Sequence, residues 1–328
     1  MSPMRLVVLS VSCIVASCVA GPIASPGVTD AQKQRLPIID MHLHAYPAEF
    51  IGKQPANPVT GQPSTAATDE ALRNESLAGL ERYNIVRAVT GGPLETVGQW
   101  KAAAPERVMA SLVFPFPGGW PDLASLRAAY KTGKLEGMGE LTLQYWGLTL
   151  SSPEMEPYLA LAEELSIPVA VHTGYGPPGI AYHACCPRFR ASLGNPLLIE
   201  EALVRHPKLR IYIMHAGFPF LENTIALMHS FPQVYADLAG IDWIMSREDF
   251  HDYLRRLLRH SDDCDLAKRL MFGSDQVVWP EAIGMAIASI ESADFVTPEQ
   301  KRDLFCRNAA RFLRLEPAIC EQRPAQKR

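Results

Sequence analysis

Short apolar runs of strand length alternate with longer amphipathic segments of helix length from Leu36 to Leu315. Strands that alternate with helices pair in parallel, because each parallel neighbour must be reached through a crossover connection. Eight such units in one domain predict an α/β fold, specifically a (β/α)8 TIM barrel. A doubly wound open sheet is the alternative, but no glycine-rich turn of the kind that usually follows its first strand comes after His44.

The predicted strands are apolar runs bounded by polar or turn-forming residues. They are Ile38–His44, Asn84–Thr90, Val108–Phe114, Gly137–Leu143, Pro168–His172, Leu209–His215, Val234–Leu238 and Leu270–Ser274. The predicted helices carry apolar residues on one face. They are Asp69–Arg82, Leu94–Ala104, Leu123–Lys131, Met155–Leu165, Pro196–Arg205, Leu221–Ser230, Arg247–His260, Glu281–Ser292 and Pro298–Leu315. A capping box between Thr297 and Gln300 is expected at the start of the last helix.

The N-terminus has the features of a bacterial targeting segment. Arg5 supplies a positive charge, and the apolar stretch from Leu6 to Ala16 is too short to span a bilayer comfortably. Residues 1–20 are therefore expected to be a signal peptide, cleaved after Ala20 or processed at a lipobox-like motif whose Cys18 would carry lipid. A non-cleaved anchor is the remaining alternative. We expect an exported protein, periplasmic or held at the membrane as a lipoprotein, with no transmembrane domain.

Residues 21–35 are expected to be a linker, residues 36–315 the single barrel domain, and residues 316–328 a C-terminal tail. The net charge of -4 offers no basic surface for nucleic acid, so a small-molecule substrate is expected. Five of the 7 cysteines lie outside the targeting segment. We expect no disulfide, although a Cys306–Cys320 bridge would suit an oxidising compartment. Adjacent cysteines such as Cys185 and Cys186 are seldom bridged. The sequence leaves the oligomeric state undetermined.

Side chains that can bind a metal lie at the C-terminal ends of the predicted strands, where barrel enzymes place their sites. Alternation along the first strand predicts that Asp40, His42 and His44 face the barrel interior, opposite Ile39, Met41 and Leu43. The other such side chains end strands four, five, six and eight: Glu140, His172, His215 and Asp275. Imidazole and carboxylate groups that converge from separate strands predict a divalent-metal site of the kind that activates water.

Individual roles follow from position and chemistry. His42 and His44 lie about 7 Å apart along one strand and could bind one ion from adjacent directions. Asp40, deeper in the barrel, could orient one of the metal-binding histidines. A buried Asp275 is costly unless it meets a cation or hydrogen-bond donors, so a ligand or general-base role is expected.

Four motifs and one helix together resemble a known family. They are Ile39–His44, Val171–Gly174, Met214–Gly217, Gly273–Asp275 and the segment Asn308–Phe312. This set is similar to the amidohydrolase superfamily, in its amidohydrolase-related branch, over nearly all of Leu36 to Leu315. The resemblance implies a metal-dependent barrel with His42, His44, His172 and Asp275 as ligands. It also implies that His215 binds a second ion or hydrogen-bonds the reactive water.

Glu140 decides the expected number of ions. It resembles the glutamate of the Gly-Glu motif on the fourth strand of TatD-type metal-dependent deoxyribonucleases, and in that role it would bridge two ions. Alternatively, it lies beside a single ion and contacts a ligand or the substrate. We therefore expect one or two divalent ions. Nitrogen and oxygen ligands without thiolate favour Zn²⁺, with manganese or iron as alternatives.

The expected activity is hydrolysis of a small amide, ester or lactone by metal-activated water, with Asp275 accepting a proton and His215 positioning the water or the oxyanion. Candidates for contact with the substrate lie in the loops at the same end: Tyr145, Trp146, Tyr175, Arg188, Asp237 and Trp279. One alternative is a decarboxylase, similar to aminocarboxymuconate-semialdehyde decarboxylase of the same branch. Another is a binding protein that kept the barrel and lost the metal. A nuclease is disfavoured, because these loops show no cluster of lysines and arginines.

Overall fold

A computed structural model describes residues 35–115, 119–259 and 265–321. Its eight strands form one parallel sheet in chain order. They are β1 Ile38–His44, β2 Ile85–Gly92, β3 Val108–Phe114, β4 Gly137–Leu141, β5 Pro168–Val171, β6 Arg210–Ile213, β7 Val234–Asp237 and β8 Leu270–Met271. The amide of Met41 in β1 donates to the carbonyl of Phe272 beside β8 at 2.9 Å, so the sheet closes on itself. The predicted TIM barrel is confirmed.

Helices connect the strands and cover the outside of the barrel. The α-helices are Asp69–Arg82, Leu94–Ala103, Leu123–Lys131, Glu156–Leu165, Glu200–Arg205, Leu221–Ser230, Ile241–Ile244, Arg247–Arg259, Ala282–Glu291, Pro298–Arg302 and Asn308–Leu313. The last two are joined by a π-helical turn, Asp303–Arg307, and the capping box of Thr297 and Gln300 is present. The short helix Ile241–Ile244 is absent from the sequence prediction. Within the described residues, no helix is both long enough and apolar enough to cross a bilayer.

The predicted signal peptide lies outside the described residues, together with its lipobox-like Cys18. So do most of the predicted linker, Cys264, and residues 322–328 of the predicted tail.

The apolar core has two parts that the sheet separates. The outer part packs strand residues such as Leu43 and Ile85 against the surrounding helices. The inner part joins residues of β1, β2, β5, β6 and β8, which can meet only inside the barrel: Ile39, Met41, Val89, Ala170, Tyr212 and Met271. The ring of Phe312, from the final helix, packs against Tyr212 and closes the N-terminal end of the barrel.

The position of β1 residues corrects one prediction. Ile39 and Met41 were expected opposite His42 and His44, yet both belong to the inner core. Leu43 does face the outer core as expected. The pairing of β1 with β2 is irregular between Asp40 and Leu43, so strict alternation is broken there. Because of this irregularity, Ile39 and Met41 face the barrel interior, and so do His42 and His44 farther along the strand.

The prediction of no disulfide is wrong, because the structure contains two. Cys306 of the π-helical turn pairs with Cys320 of a short 3-10 helix, Pro317–Glu321, and their Cα atoms lie 5.8 Å apart. The second bridge joins the adjacent Cys185 and Cys186 in the loop after β5. The first bridge arises because the chain turns back after the final helix and packs both cysteines against the closed end of the barrel, which sequence spacing alone does not reveal.

Candidate active site

The predicted metal-binding side chains meet at the C-terminal end of the barrel. His42 and His44 end β1, Glu140 lies in β4, and His172 comes directly after β5. The remaining two follow β6 and β8: His215 and Asp275. In a parallel barrel all these strand ends lie on one rim, which brings together residues far apart in the sequence. All six side chains are largely shielded from solvent, His215 and Asp275 being the most accessible at 13%.

Four donor atoms form a compact group around His44. Its Nε2 lies 3.0 Å from Nε2 of His42 and 2.9 Å from Oδ1 of Asp275. Oε2 of Glu140 lies 3.6 Å from His44 Nε2 and 3.9 Å from His42 Nε2. Ligands bound to one zinc-like ion at about 2.0 to 2.2 Å lie about 3 to 3.7 Å apart. The spacing of His42, His44 and Asp275 therefore fits a single ion, and Glu140 lies slightly farther from His42.

The second oxygen of Glu140 faces a different pair of histidines. Oε1 lies 3.8 Å from Nε2 of His172 and 3.9 Å from Nε2 of His215. The donor atoms of Glu140, His172 and His215 all lie within 4.8 Å of one another. Glu140 thus spans the space between two clusters, with one carboxylate oxygen turned to each.

Asp237, at the end of β7, orients two of the histidines. Its Oδ2 lies 3.2 Å from Nδ1 of His42, and its Oδ1 accepts the backbone amides of His215 and Ala239. Nδ1 of His215 lies 2.8 Å from the carbonyl of Ala239 and donates its proton there. When Nδ1 of His42 and of His215 carry the protons, the Nε2 lone pairs of both rings point toward Glu140, as metal ligation requires.

The backbone around the site takes conformations that non-glycine residues rarely adopt. His215, Ala216 and Asp275 have φ angles of 58°, 44° and 45°. Such left-handed conformations cost free energy and persist where surrounding contacts enforce them, often at functional sites. Before Glu140, Gly139 has φ +120°, and an added Cβ would lie 2.3 Å from the carbonyl oxygen of Ala170. Only glycine therefore fits at position 139 of β4, where the backbone directs Glu140 into the barrel.

The charges of the site indicate where a cation belongs. Burial alone would lower the pKa of His42, but the negative charges of Asp275 and Asp237 outweigh it and raise that pKa to about 10. Burial alone would raise the pKa of Glu140, but its interaction with His215 and the charge of His172 bring it well below the usual range. The carboxylates thus stay ionised and hold a positive charge among the histidines. Burial lowers the pKa of His172 to about 4, which leaves its imidazole in the neutral form that binds metals.

A divalent metal fits this group of residues. Nε2 of His42, Nε2 of His44 and Oδ1 of Asp275 are all electron-pair donors, and they approach one another closely. Donors with no cation or proton between them would repel one another in such a buried place. Imidazole nitrogens with carboxylate oxygens form the ligand set of catalytic zinc and related ions. The residues could hold one ion at the first cluster and a second between Glu140, His172 and His215.

The candidates for substrate contact occupy different environments. Tyr145 lies in the site, with its ring edge-on to His172 at 5.4 Å, whereas Tyr175 and Arg188 are exposed in the loop after β5. Trp146 is half-buried and donates its indole N–H to the carbonyl of Pro115. Trp279 is buried and donates to the carbonyl of Pro55. Substrate contact stays a prediction for all of these.

Asp237, the sixth candidate for substrate contact, is fully buried beneath the histidines. Both of its oxygens are engaged by protein groups, so the structure gives it an orienting role.

Tyr46 also lies in the site and is absent from the sequence prediction. Its ring stacks on His44 at 4.3 Å, and its hydroxyl donates to Oε2 of Glu140 at 3.4 Å. The signal was present, because Tyr46 follows His44 at the same two-residue spacing that joins His42 to His44. Histidines and acids are the usual protein ligands of such ions, so the predicted ligand pattern on β1 ends at His44.

A family model described as amidohydrolase matches residues 39–315, which include every residue of the site. The chain belongs to the amidohydrolase family. It is therefore an enzyme of the amidohydrolase type, and the resemblance seen in its motifs is confirmed.

Individual relatives of this amidohydrolase are distant. A probable 2-pyrone-4,6-dicarboxylic acid hydrolase from Acinetobacter baumannii is 14% identical, with a TM-score of 0.59 over 85% of this chain and 99% of that chain. The 5-carboxyvanillate decarboxylase of Sphingomonas paucimobilis is 17% identical, with a TM-score of 0.56 over 86% of this chain and 100% of that chain. At such identities the likeness shows a shared fold. Protein fluG of Emericella nidulans is 24% identical over 119 residues, and that stretch covers 36% of this chain and only 12% of fluG.

Proposed function

We propose that this amidohydrolase is a metal-dependent hydrolase of a small amide, ester or lactone. The observation that carries the proposal is the position of Asp275. Its Oδ1 lies 2.9 Å from Nε2 of His44, among the donors of the first cluster, while its Oδ2 lies 4.0 Å from Nδ1 of His215. One oxygen can therefore bind an ion while the other accepts a proton from a water held beside it.

A divalent ion bound at this site supplies two effects, a lowered pKa of water and polarisation of the carbonyl oxygen of the substrate. The side chains complete the reaction. Asp275 accepts the proton of the attacking water and returns it to the leaving nitrogen or oxygen. The Nδ1–H of His215 donates a hydrogen bond to the carbonyl of Ala239, so Nε2 faces the reacting groups. Tyr46 holds Glu140 through its hydroxyl, and Asp237 holds His42, so the ligand atoms stay in place.

We further propose a two-ion site with Glu140 as the bridging carboxylate and zinc as the preferred metal. Support comes from the two oxygens of Glu140, each turned to a different pair of histidines. Elemental analysis of purified protein tests this, with two equivalents of metal expected. Removal of metal by a chelator should abolish hydrolysis, and added zinc should restore it better than manganese or iron. Activity that survives complete removal of metal would contradict the proposal.

Decarboxylation is the second candidate. The barrel shares its fold with a 5-carboxyvanillate decarboxylase, and the same ligand positions could support loss of carbon dioxide. The products separate the two reactions, because hydrolysis gives an acid with an amine or alcohol, whereas decarboxylation releases carbon dioxide. A panel of esters, lactones, amides and carboxylated aromatics, assayed for both kinds of product, decides between them. Release of carbon dioxide without acid formation would favour the second candidate.

We also propose that the protein is exported, with residues 1–20 removed or with lipid on Cys18. The two disulfides support this, because disulfides persist mainly in oxidising compartments. Fractionation of a bacterial host that produces the full chain tests the proposal. A Cys18→Ser variant should move from the membrane to the soluble periplasm if Cys18 is lipidated, and its distribution should not change if an ordinary signal peptide is cleaved. Protein retained in the cytoplasm would overturn export.

A further inference from the structure

Two groups of aromatic rings extend from the histidine cluster, and we call them the aromatic walls. In the first, Tyr46 stacks on His44 at 4.3 Å and Phe50 stacks on Tyr46 at 4.0 Å, with interplanar angles of 14° and 18°. Phe50 is 41% exposed whereas His44 is buried, so this wall runs from the site to the surface. These contacts make a continuous apolar face beside the proposed metal ligands.

The second wall begins at His172. The ring of Tyr145 lies edge-on to His172 at 5.4 Å, and the buried Phe189 lies edge-on to Tyr145 at 5.0 Å. The two walls come from different parts of the chain, the first from the loop after β1 and the second from the loops after β4 and β5.

Both walls border the same carboxylates. Tyr46 donates to Oε2 of Glu140, which fixes the first wall to the site. The second wall meets the site at His172, whose Nε2 lies 3.8 Å from Oε1 of the same carboxylate. Glu140 therefore has the first wall beside its Oε2 and His172, where the second wall begins, beside its Oε1.

The rim of the barrel carries few positive charges. In the eight segments that connect a strand to the following helix, the sequence has only three lysines or arginines: Lys53, Arg188 and Arg190. All three are exposed. Arg190 donates to the backbone carbonyls of Pro187 and Phe189. None of these side chains is buried in the site, where recognition of a substrate carboxylate would need a desolvated cation or an arginine fork.

The negative charges of the site are already numerous. Five buried carboxyl groups lie in or beneath it: Asp40, Glu140, Asp237, Asp242 and Asp275. The charged side chains closest to the histidines are thus acids, and they would repel an anionic substrate. A carboxylate on the substrate would lose its hydration at the aromatic walls with no charged partner in return.

From these observations we infer that the site takes an uncharged carbonyl compound whose aromatic or other flat apolar group packs between the aromatic walls. This inference rests on the hydrolysis proposed above and narrows its substrate class. The walls recognise the apolar group by stacking and burial, while the metal ligands act on the neighbouring carbonyl. Substrates with one or more carboxylates on the same ring are then poor substrates.

Two esters with the same acyl group test the inference. We expect kcat/KM of the zinc-loaded enzyme to be about tenfold or more higher for phenyl acetate than for 4-carboxyphenyl acetate. Phe50→Ala should raise KM for phenyl acetate about three- to tenfold with little change in kcat, because stacking is lost on the exposed part of the first wall. Val204→Ala is the control, since Val204 is 65% exposed on the helix Glu200–Arg205 and belongs to neither wall. Equal or faster turnover of the carboxylated ester, or an unchanged KM in Phe50→Ala, would overturn the inference.

A binding measurement separates failure of the inference from failure of the proposed function. Calorimetry at neutral pH measures the binding of acetanilide and of 4-acetamidobenzoate to the zinc-loaded protein. The dissociation constant of acetanilide is expected to be about tenfold or more lower. If no ester or amide is hydrolysed, the proposed function fails, yet this preference still supports the aromatic walls as the recognition surface. Equal or tighter binding of 4-acetamidobenzoate, or no binding of either compound, overturns the inference whatever the activity.

Discussion

The two ends of the barrel are built from opposite kinds of residue. The C-terminal rim gathers buried histidines and carboxylates on backbone that includes left-handed conformations at His215 and Asp275. The N-terminal end is closed by apolar side chains around Phe312 and by the Cys306–Cys320 bridge. Buried charges and unusual backbone conformations at the rim lower the stability of the folded protein. Apolar packing and the disulfide at the closed end raise it. This contrast indicates that residues of the rim determine activity, whereas residues of the closed end determine stability.

The closed end is held by polar contacts as well. The side-chain amide of Asn308 donates to the carbonyls of Ala267 and Leu270 at 2.8 and 2.7 Å. Tyr212 reaches across the interior and donates its hydroxyl to the carbonyl of Met41. These bonds attach the final helix to β8 and attach β6 to β1, so the closed end forms a single packed unit below the site.

The largest effect is expected for Asp275→Asn at the rim. The substitution keeps the shape of the side chain and removes the proton acceptor, so kcat should fall by about a thousandfold or more while the melting temperature changes little. Steady-state kinetics and thermal unfolding of the zinc-loaded protein measure the two quantities. Asp249→Asn, at an exposed acid of the helix Arg247–Arg259, is the control and should retain full activity. Full activity in Asp275→Asn would refute its role as the base.

The next largest effect is expected at the closed end, where it concerns the free energy of unfolding and not kcat. Replacing Cys306 and Cys320 together with serine opens a loop of 14 residues and should lower the free energy of unfolding by about 3 kcal/mol. Denaturant titration gives the free energy, and kcat under native conditions should stay the same. Replacing Cys185 and Cys186 instead serves as the control, since that bridge closes no loop. A large fall in kcat with unchanged stability would break the distinction between the two ends.

Glu140→Gln separates one bound ion from two. The amide cannot bridge two ions as a carboxylate does, so the metal content should drop from two equivalents to one and kcat should fall by about a hundredfold. Elemental analysis beside kinetics tests this. Glu136→Gln, a partly exposed acid just before β4 that pairs with Lys101, is the matched control. An unchanged metal content would mean that Glu140 lies beside the ions without binding them.

The smallest effect is expected for Asp237→Asn. The residue orients His42 and His215, so its replacement should weaken metal binding by about ten- to a hundredfold while kcat at saturating metal falls less. Metal titration under competition with a chelator measures the affinity. Excess zinc should rescue most of the activity, a result that loss of a reacting group would not give. Activity that stays low at saturating zinc would assign Asp237 a direct role in the reaction.

Much of the barrel can be predicted from the sequence. The bounds of β1, of β3 and of the helix Asp69–Arg82 agree with the prediction, because apolar spacing and flanking turn residues mark them clearly. The strand β8 is much shorter than predicted, Leu270–Met271 instead of Leu270–Ser274. Its last residues leave the sheet because the amides of Ser274 and Asp275 bond to Asp40 and His42, which lie on β1. Such competition between distant segments is not visible in a local pattern.

The candidate site shows the same limit. Histidines and acids at strand ends are identifiable because few other roles explain polar residues there, and the structure brings all six together. The sequence does not show that Asp237 lies below them, or that the loop after β5 places Phe189 near the ligands. Those positions depend on tertiary packing, and so does the pairing of Cys306 with Cys320.

The carboxylate of Asp237 couples two histidines that come from different strands, His42 of β1 and His215 after β6. Because it bonds the imidazole of His42 and the amide of His215, a shift of β7 would displace both of them in concert. Attempts to retune this enzyme for another metal should therefore leave β7 unaltered.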